Sequence, residues 1–209
     1  MKREAGRESL RIAREHGELS GELLVRRAVA DDIGLIQNMA RIVWADTYAG
    51  LISEEDQVRV VEHSYSQANL RKSLEQDIFL LAEVSGKAAG YIDMGRQGEV
   101  LHLHRLYVMP GFQRLGIGRR LLEEAIALAE VGGAVRFPGN DPDAGWATDQ
   151  TKDPAGLGST PRLVVATVER DNHKARSFYR KMGFTEEGST AVTIQGVELP
   201  LIYIVKHLS

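Results

Sequence analysis

The chain has 209 residues, of which 43% are hydrophobic and 26% are charged, which is ordinary for a globular domain with ample length for a core. Its formal net charge of -3 argues against nucleic-acid binding, and the absence of cysteine excludes disulfides, thiolate metal sites and a cysteinyl acyl-enzyme. No apolar run reaches membrane-spanning length and the charged N-terminus does not resemble a secretion signal, so we expect a cytoplasmic protein with no membrane partner.

The first part of the chain predicts one strand followed by helices. Residues 1–22 are rich in charges of both signs, and we expect a frayed helix that is an appendage to a domain over residues 23–209. A first strand begins at Leu23. The apolar residues that follow have helical spacing: Ile33, Ile36, Met39, Ala40 and Val43. A second helical stretch is predicted from about Glu54 to Leu74.

The second part of the chain is rich in β-type runs. Three of them, IFLLAEV, KAAGYIDMG and EVLHLHRLYVM, come in succession, and Ser85-Gly86 joins the first two as a hairpin turn. A glycine-rich turn and a strong helix follow, and residues 132–161 are predicted to form one long loop. A buried strand, a helix closed by Gly183 and two C-terminal strands complete the chain. The order β-α-α-β-β-β-α-loop-β-α-β-β predicts a mixed α/β domain.

The most informative segment is Val108–Arg120, which lies between a predicted strand and a predicted helix. Backbone N–H groups at the start of a helix are unpaired, and Gly116 and Gly118 lack side chains that would keep an anion away. The basic residues here are Arg114, Arg119 and Arg120. Together these features suit a pyrophosphate with an additional phosphate; the alternative is an ordinary glycine turn with solvated arginines. The dinucleotide pattern fails at its third glycine, and no G-K-[ST] motif occurs.

Two motifs carry a family resemblance. Gln113-Arg-Leu-Gly116-Ile-Gly118 resembles the Q/R-x-x-G-x-G/A signature of the GNAT (Gcn5-related N-acetyltransferase) superfamily. Residues 172–184 are similar to its second signature, N-x-x-A-x-x-F/L-Y-x-x-x-G-F, and the two motifs are in the family's order. The resemblance covers roughly residues 23–208. It implies a central mixed, mostly antiparallel sheet, flanked by helices and splayed between the family's fourth and fifth strands.

The resemblance also implies a site for acetyl-CoA and direct attack of an amine on its thioester in a ternary complex. Amides of residues 115–119 would hold the pyrophosphate, the amide of Val108 would polarise the acetyl carbonyl, and Asn172 would bond the pantetheine arm. The expected cofactor-binding residues are Leu106, Tyr107, Val108, Gln113, Arg114, Leu115, Gly116, Ile117, Gly118, Arg119, Asn172 and Tyr179.

Three residues are expected to move protons. The resemblance makes Tyr179 the general acid toward the CoA thiolate, with a plain core position as the alternative. His102 and His104 lie two apart on one strand and therefore share a face. They resemble the paired histidines of serotonin N-acetyltransferases, which drain the amine proton through water; the alternative is a polar sheet edge. Broken alternation near Arg105 indicates a buried strand or a bulge, and a bulge would change which histidine faces the cleft. Weaker base candidates are Asp93 and Glu99.

The acceptor is expected to be a small-molecule primary amine. The stretch Val43–Asp56 looks like GNAT members that acetylate small amines, including polyamines, and Trp44 and Tyr48 could bracket an acceptor or pack in the core. The 132–161 loop is longer than the family's usual connection and would suit a lid over a cationic acceptor, with disorder as the alternative.

Two other functions stay open on the sequence. One is a protein N-terminal or lysine acetyltransferase, and the other is a non-catalytic acyl-CoA-binding regulatory domain. No metal is expected, because the His102-Leu-His104 run provides two ligands and nothing indicates a third. A homodimer is left open as the oligomeric state, and no nucleic-acid partner is expected.

Overall fold

A computed structural model describes residues 10–12, 21–131 and 160–208. In these ranges an eight-stranded sheet has the order β1-β2-β3-β4-β5-β6-β8-β7. The strands are β1 (Leu10–Ile12), β2 (Gly21–Arg27), β3 (Ile78–Val84), β4 (Lys87–Gln97), β5 (Val100–Val108), β6 (Leu163–Glu169), β7 (Thr185–Ile194) and β8 (Val197–His207). The α-helices are α1 (Ile33–Thr47), α2 (Glu54–Ser64), α3 (Gln67–Gln76), α4 (Ile117–Glu130) and α5 (His173–Lys181). Each pair of neighbouring strands is antiparallel except β5 and β6, which confirms the predicted mixed, mostly antiparallel sheet.

Two predictions about the N-terminal half were wrong. Leu10–Ile12 are a strand that pairs with β2, not part of a helix. The helical stretch expected from Glu54 to Leu74 is two helices, because the Ser66 hydroxyl accepts the Asn69 N–H at 3.3 Å and caps α3 as a separate helix.

Two predicted segments are largely outside the described residues. Most of the 1–22 appendage is one of them. The other is the long loop at 132–161, apart from its last two residues, together with the acidic side chains expected to form a lid. The appendage and the lid therefore stay predictions.

The sheet separates two apolar layers. One face packs against α4, whose Ile117, Leu121 and Ala125 are buried beside residues of β3 to β6. The opposite face packs against α1, α2 and α3 and the β7–β8 hairpin. The apolar stripe predicted for α1 is confirmed, since Ile33, Ile36, Met39, Ala40 and Val43 are all buried. Burial of each of the larger side chains in this stripe contributes about 1.5–3 kcal/mol, which helps to hold the helix to the sheet.

A bulge interrupts β5 near its middle. Asp93 of β4 pairs with Arg105, whereas the next residue, Met94, pairs with Leu103. His104 is therefore an extra residue on β5, as the broken alternation around Arg105 indicated. After the bulge the side-chain parity of β5 changes, which decides which residues reach each face.

β5 and β6 separate halfway along their length. Their parallel pairing ends at Leu103 opposite Ala166. Beyond that point β5 continues to Val108 beside β4, and β6 continues to Glu169 beside β8. The splay between these strands is thus confirmed. We call the opening between residues 105–108 and residues 167–169 the β5–β6 gap.

Candidate active site

The turn between β5 and α4 presents a row of backbone N–H groups. Gly116, at the N-cap of α4, has φ 80°, and Arg114 has φ 65°. The Arg120 N–H makes a helical bond to the Gly116 carbonyl at 3.0 Å. None of the N–H groups of residues 115–119 donates to a backbone carbonyl within the described ranges. A helix start with several such groups carries partial positive charge and is suited to bind an anion.

The same turn is held close to β5, α5 and α1. A Cβ atom on Gly118 would lie 3.4 Å from Phe178 Cζ and 3.5 Å from Val108 Cγ2, so glycine permits close packing at this point. The Gln113 side-chain amide donates to the Val108 carbonyl at 3.3 Å and to Asp46 of α1 at 3.2 Å. Gln113 and Gly118, both part of the first signature, therefore hold the loop in position whether or not they also contact a ligand.

The arginines of the turn are paired weakly or exposed. Arg119 contacts Glu123 at 2.7 Å and Arg120 contacts Glu124 at 3.1 Å, one helical turn further along α4. The exposed Arg119–Glu123 pair contributes at most about 1 kcal/mol, so a phosphate can replace this carboxylate at little cost. Arg114 is exposed.

Leu106 and Val108 direct backbone groups into the β5–β6 gap. The Met109 N–H donates to the Ala89 carbonyl at 2.9 Å. Backbone hydrogen bonding alternates along an antiparallel strand. The backbone N–H and C=O groups of Tyr107 therefore point toward β4, and those of Leu106 and Val108 point away from β4. Leu106 and Val108 are therefore placed where pantetheine pairing and carbonyl polarisation were expected. Tyr107, predicted to bind the cofactor, has its backbone turned to β4 and its side chain on the α1 side.

Asn172 has a structural role that the sequence analysis did not assign. It is buried at the N-cap of α5, where its Oδ1 accepts the Ala175 N–H at 3.0 Å. Within the described ranges its side-chain nitrogen donates to no acceptor, so that nitrogen can bond a ligand. Capping explains the position of the side chain, and the remaining donor is compatible with a pantetheine carbonyl.

Tyr179 lies on α5 and is 8% exposed. Its ring contacts Phe178 and Phe184 edge-on, with centroids 5.2 and 5.3 Å apart. Burial raises the pKa of Tyr179, with a further contribution from Tyr48, so the phenol keeps its proton at neutral pH. Tyr48 belongs to the apolar layer on the other face of the sheet.

Aromatic side chains line the α1 side of the gap. The hydroxyls of Tyr48 and Tyr107 are 3.2 Å apart, and the rings of Trp44 and Tyr48 are 4.5 Å apart. Burial raises the pKa of Tyr48 to about 12, and the negative charge of Glu169 contributes less. Trp44 is buried in the core, whereas Tyr48 is half-buried and borders the gap.

The two histidines lie further down β5 than the gap. His102 pairs with Gly95 on β4 and with Val165 on β6, and its ring is 6.4 Å from that of His104 at an angle of 14°. At 3.3 Å per residue, His104 and His102 are roughly 13 Å and 20 Å from Val108 along the strand. Burial, together with the neighbouring His104, lowers the pKa of His102 to about 4. Neither ring can touch a thioester at Val108, so a proton would have to travel through water.

The weaker base candidates have other partners. Asp93 is fully buried and forms an ion pair with Arg105. Glu99, in the turn before β5, lies 3.8 Å from Arg162 and is about half exposed. Asp93 is therefore already neutralised, and Glu99 is remote from the gap.

Arg105 organises a buried polar cluster beside the bulge. Its guanidinium bonds Asp93, the Ser73 hydroxyl at 3.1 Å and the Ser64 carbonyl at 2.8 Å. The same group lies 4.9 Å from the centre of the Tyr65 ring. Since a buried charge is tolerated when it is fully hydrogen-bonded, these contacts fix the bulge and the direction of β5 beyond it.

We expect the Asp77 carboxyl, which borders this cluster, to make stability depend on pH. Burial, the charge of Asp93 and a hydrogen bond between the two carboxyl groups raise the pKa of Asp77 to about 8. Because this value lies above that of the unfolded chain, the stabilisation is complete below about pH 4 and is lost as the pH rises through about 8. Asp77→Asn should remove this loss, by at least about 1 kcal/mol between pH 6 and 9. Urea unfolding of both proteins across this range measures it, with exposed Glu75→Gln as control; parallel profiles for wild type and Asp77→Asn would contradict it.

A surface cavity of about 300 Å³ lies beside α5 but is not this site. It is lined by Arg176, Tyr179, Arg180, Phe184, Thr185, Glu186 and Ile204. Most of these residues belong to the side of α5 that faces β7, and the two arginines are paired with Glu186. The amides of the turn before α4 are a better guide to the ligand, because within the described ranges they donate to no backbone carbonyl.

Glu169 is a residue of the site that the sequence analysis missed. It ends β6 at the gap, is 6% exposed, and accepts the Asp171 N–H on Oε2 at 2.8 Å. A charged residue ending a run as apolar as LVVATV was a signal available in the sequence. Its burial was not, because that depends on α1 and β8 covering the strand end.

Within the described ranges, no group of three or more His, Asp or Glu side chains is arranged to hold a metal ion. Among the described helices, none combines the length and the apolar composition that a membrane crossing requires.

Comparison with known proteins agrees with this geometry. A family model described as an acetyltransferase (GNAT) domain matches residues 75–186, just over half of the chain. A spermidine N(1)-acetyltransferase of Thermoplasma acidophilum is 29% identical over 107 residues, which are 48% of this chain and 66% of that protein. An uncharacterized N-acetyltransferase of Methanocaldococcus jannaschii is 26% identical over 120 residues, 54% of this chain and 41% of that protein. The chain thus spans less than two thirds of the length of these relatives.

Solved structures share the fold. The PaiA N-acetyltransferase of Thermoplasma acidophilum, crystallised with coenzyme A, superposes with a TM-score of 0.69 at 22% identity, covering 89% of this chain and 99% of that one. The ribosomal-protein-S18-alanine N-acetyltransferase of Escherichia coli superposes with a TM-score of 0.57 at 17% identity, covering 90% and 94%. At these identities the likeness concerns the fold.

Proposed function

The chain belongs to the GNAT acetyltransferase family, and we propose that it transfers an acetyl group from acetyl-CoA to a small-molecule primary amine. The observation that carries the proposal is the β5–β6 gap, beside which Leu106 and Val108 face away from β4, together with the amides before α4 that donate to no backbone carbonyl of the described ranges. The thin pantetheine arm of acetyl-CoA would occupy the gap, and its diphosphate would bind the amides before α4.

The residues of the gap have complementary tasks. Acetyl-CoA supplies an acetyl group already activated as a thioester. The amides of residues 115–119 hold the diphosphate, and Asn172 orients the arm by hydrogen bonding. The Val108 N–H stabilises negative charge that develops on the acetyl oxygen, and Tyr179, which is protonated at neutral pH, provides a proton for the departing sulfur.

The β7–β8 hairpin covers part of the sheet face that carries α1, and this supports a small acceptor. The β7–β8 hairpin packs onto this face, with Val197 and Leu199 buried, and Gln195 at its tip lies 3.0 Å from His63 of α2. A peptide would need an open groove where the hairpin lies. The relative that acts on spermidine makes a polyamine the first acceptor to test.

Two measurements test the proposal. Calorimetry should detect binding of acetyl-CoA to the full chain, and its absence would remove the enzyme assignment. A CoA-release assay with polyamines, monoamines and peptides then separates the functions. Turnover confined to peptides would identify a protein acetyltransferase, and binding without turnover would identify a regulatory domain.

We expect His104→Ala to shift the pH–rate profile toward alkaline values. His104 is the exposed histidine of the pair, at the bulge, and is proposed to take the amine proton through water. Without it, kcat/KM should fall about tenfold at pH 7 and approach the wild-type value near pH 9, where the amine deprotonates more readily. His102→Ala is the control for loss of a neighbouring histidine ring. Because the pKa of His102 is about 4, its removal should leave the profile near neutral pH unchanged. An unchanged profile in His104→Ala would exclude the relay.

The cytoplasmic location and the homodimer expected from the sequence stay predictions. The location was expected from the composition of the chain. The homodimer was left open without support from a particular residue. Size-exclusion chromatography with light scattering would determine the oligomeric state.

A further inference from the structure

Glu169 carries a buried carboxylate that no cation of the described ranges neutralises. Among the described residues its side chain takes part in no ion pair, and the hydrogen bond found there comes from the Asp171 N–H at 2.8 Å. The Arg176 guanidinium has its pKa raised mainly by Glu186, which it binds through two nitrogens at 2.9 Å, and only slightly by Glu169. Since burying a carboxylate without a countercharge is costly, its position here favours a cationic ligand.

The carboxylate faces the α1 side of the sheet. Val164, Ala166 and Val168 of β6 belong to the apolar layer under α4. Side chains alternate along a strand, so Thr167 and Glu169 point to the opposite face. Tyr48 lies on that face, and the negative charge of Glu169 contributes to the raised pKa of Tyr48.

Glu169 is level with the proposed reaction centre. It lies three residues beyond Ala166, where pairing with β5 ends, and Val108 lies five residues beyond Leu103, one of them the bulge. Along the strands the two residues therefore differ by about one position, or roughly 3 Å. The corresponding offset of His104 from Val108 along β5 is roughly 13 Å.

The rest of the α1 side suits a cation as well. The neutral phenols of Tyr48 and Tyr107 border the opening, and aromatic faces and hydroxyl oxygens both interact favourably with an ammonium group. An anionic substituent next to the amine would be repelled by Glu169.

We propose that Glu169 binds the ammonium group of the acceptor, so that the acceptor belongs to the aliphatic amines that are cationic at neutral pH. This inference rests on the proposed acetyl transfer. Glu169 selects the acceptor by charge, while Val108 and Tyr179 act on the thioester.

Glu169→Gln tests the inference, because the amide keeps an oxygen for the Asp171 N–H and removes the charge. Spermidine and n-butylamine are the cationic acceptors, and O-propylhydroxylamine, which has the same shape as n-butylamine and is neutral at pH 7.5, is the matched probe. We expect KM for both cationic amines to rise at least about tenfold, since hydrogen bonds to charged groups contribute about 1.5–3 kcal/mol. KM for O-propylhydroxylamine, or its inhibition constant where it is not acetylated, should stay within about twofold.

Two controls accompany this variant. Glu187→Gln removes an exposed carboxylate of β7 and should change neither constant. KM for acetyl-CoA should be the same in both variants and in the wild type. Equal effects of Glu169→Gln on the cationic and neutral amines, or no effect on either, would overturn the inference. So would a wild-type protein that binds acetyl-CoA and acetylates neither spermidine nor n-butylamine. Failure to bind acetyl-CoA would instead remove the proposed function, and the inference with it.

Discussion

Gly116→Val is expected to weaken acetyl-CoA binding at least about 100-fold, or about 2.7 kcal/mol. Gly116 has φ 80°, a conformation that glycine adopts freely and a β-branched residue adopts with strain. Relief of that strain would rotate the amides of residues 115–119 away from their common direction. A side chain at this position would also project into the space where the anion has to approach.

The fold should survive the substitution. No atom lies within 4 Å of the position where a Cβ on Gly116 would be, so the variant meets strain but no collision. Gly111→Val is the matched control, because Gly111 in the same turn region also has open space and lacks a positive φ. Calorimetry with acetyl-CoA and thermal unfolding measure the two effects separately. Binding by Gly116→Val within threefold of wild type would show that these amides do not hold the diphosphate.

Tyr179→Phe should lower kcat at least about 100-fold and leave acetyl-CoA binding within about twofold. The phenol is the protonated donor at the gap, and loss of a positioned acid typically costs 10²–10⁴ in rate. The ring contacts with Phe178 and Phe184 are unchanged by the substitution, so the packing of α5 is retained.

Tyr91→Phe distinguishes this effect from loss of any buried hydroxyl. Tyr91 is buried on β4, and its hydroxyl donates to that of Tyr65 at 3.0 Å. This control should lose about 1 kcal/mol of stability and retain kcat. Steady-state CoA release at saturating acceptor provides the comparison. Equal kcat in Tyr179→Phe and wild type would mean that Tyr179 is a core residue and that another group protonates the sulfur.

Much of the secondary structure could be predicted because its signals are local. The turn at Ser85-Gly86 has φ 49° and 77°, as a two-residue hairpin turn needs, and Gly183 ends α5 with φ 85°. The two C-terminal strands were expected, and pairing with β8 extends β7 back to Thr185 over four polar residues and a glycine.

The candidate site was predictable in part. Gly116 and Gly118 indicated the anion-binding turn, because helix starts and glycine conformations are properties of short segments. The histidines were singled out by residue type and proximity along the strand. The low pKa of His102 depends on burial between β4 and β6, which no local pattern contains.

The sequence by itself determined the elements that a few neighbouring residues specify: the apolar stripes of α1 and α4, the hairpin turn and the glycine-rich helix start. The tertiary structure decided where β5 leaves β6, that Asp93 neutralises Arg105 beside the bulge, and that Glu169 is buried facing Tyr48. These features depend on the register between strands that are far apart in the chain and on the helices that cover them. A carboxylate at a strand end has the same local sequence whether water or an apolar layer surrounds it, and the difference in solvation decides what it can bind.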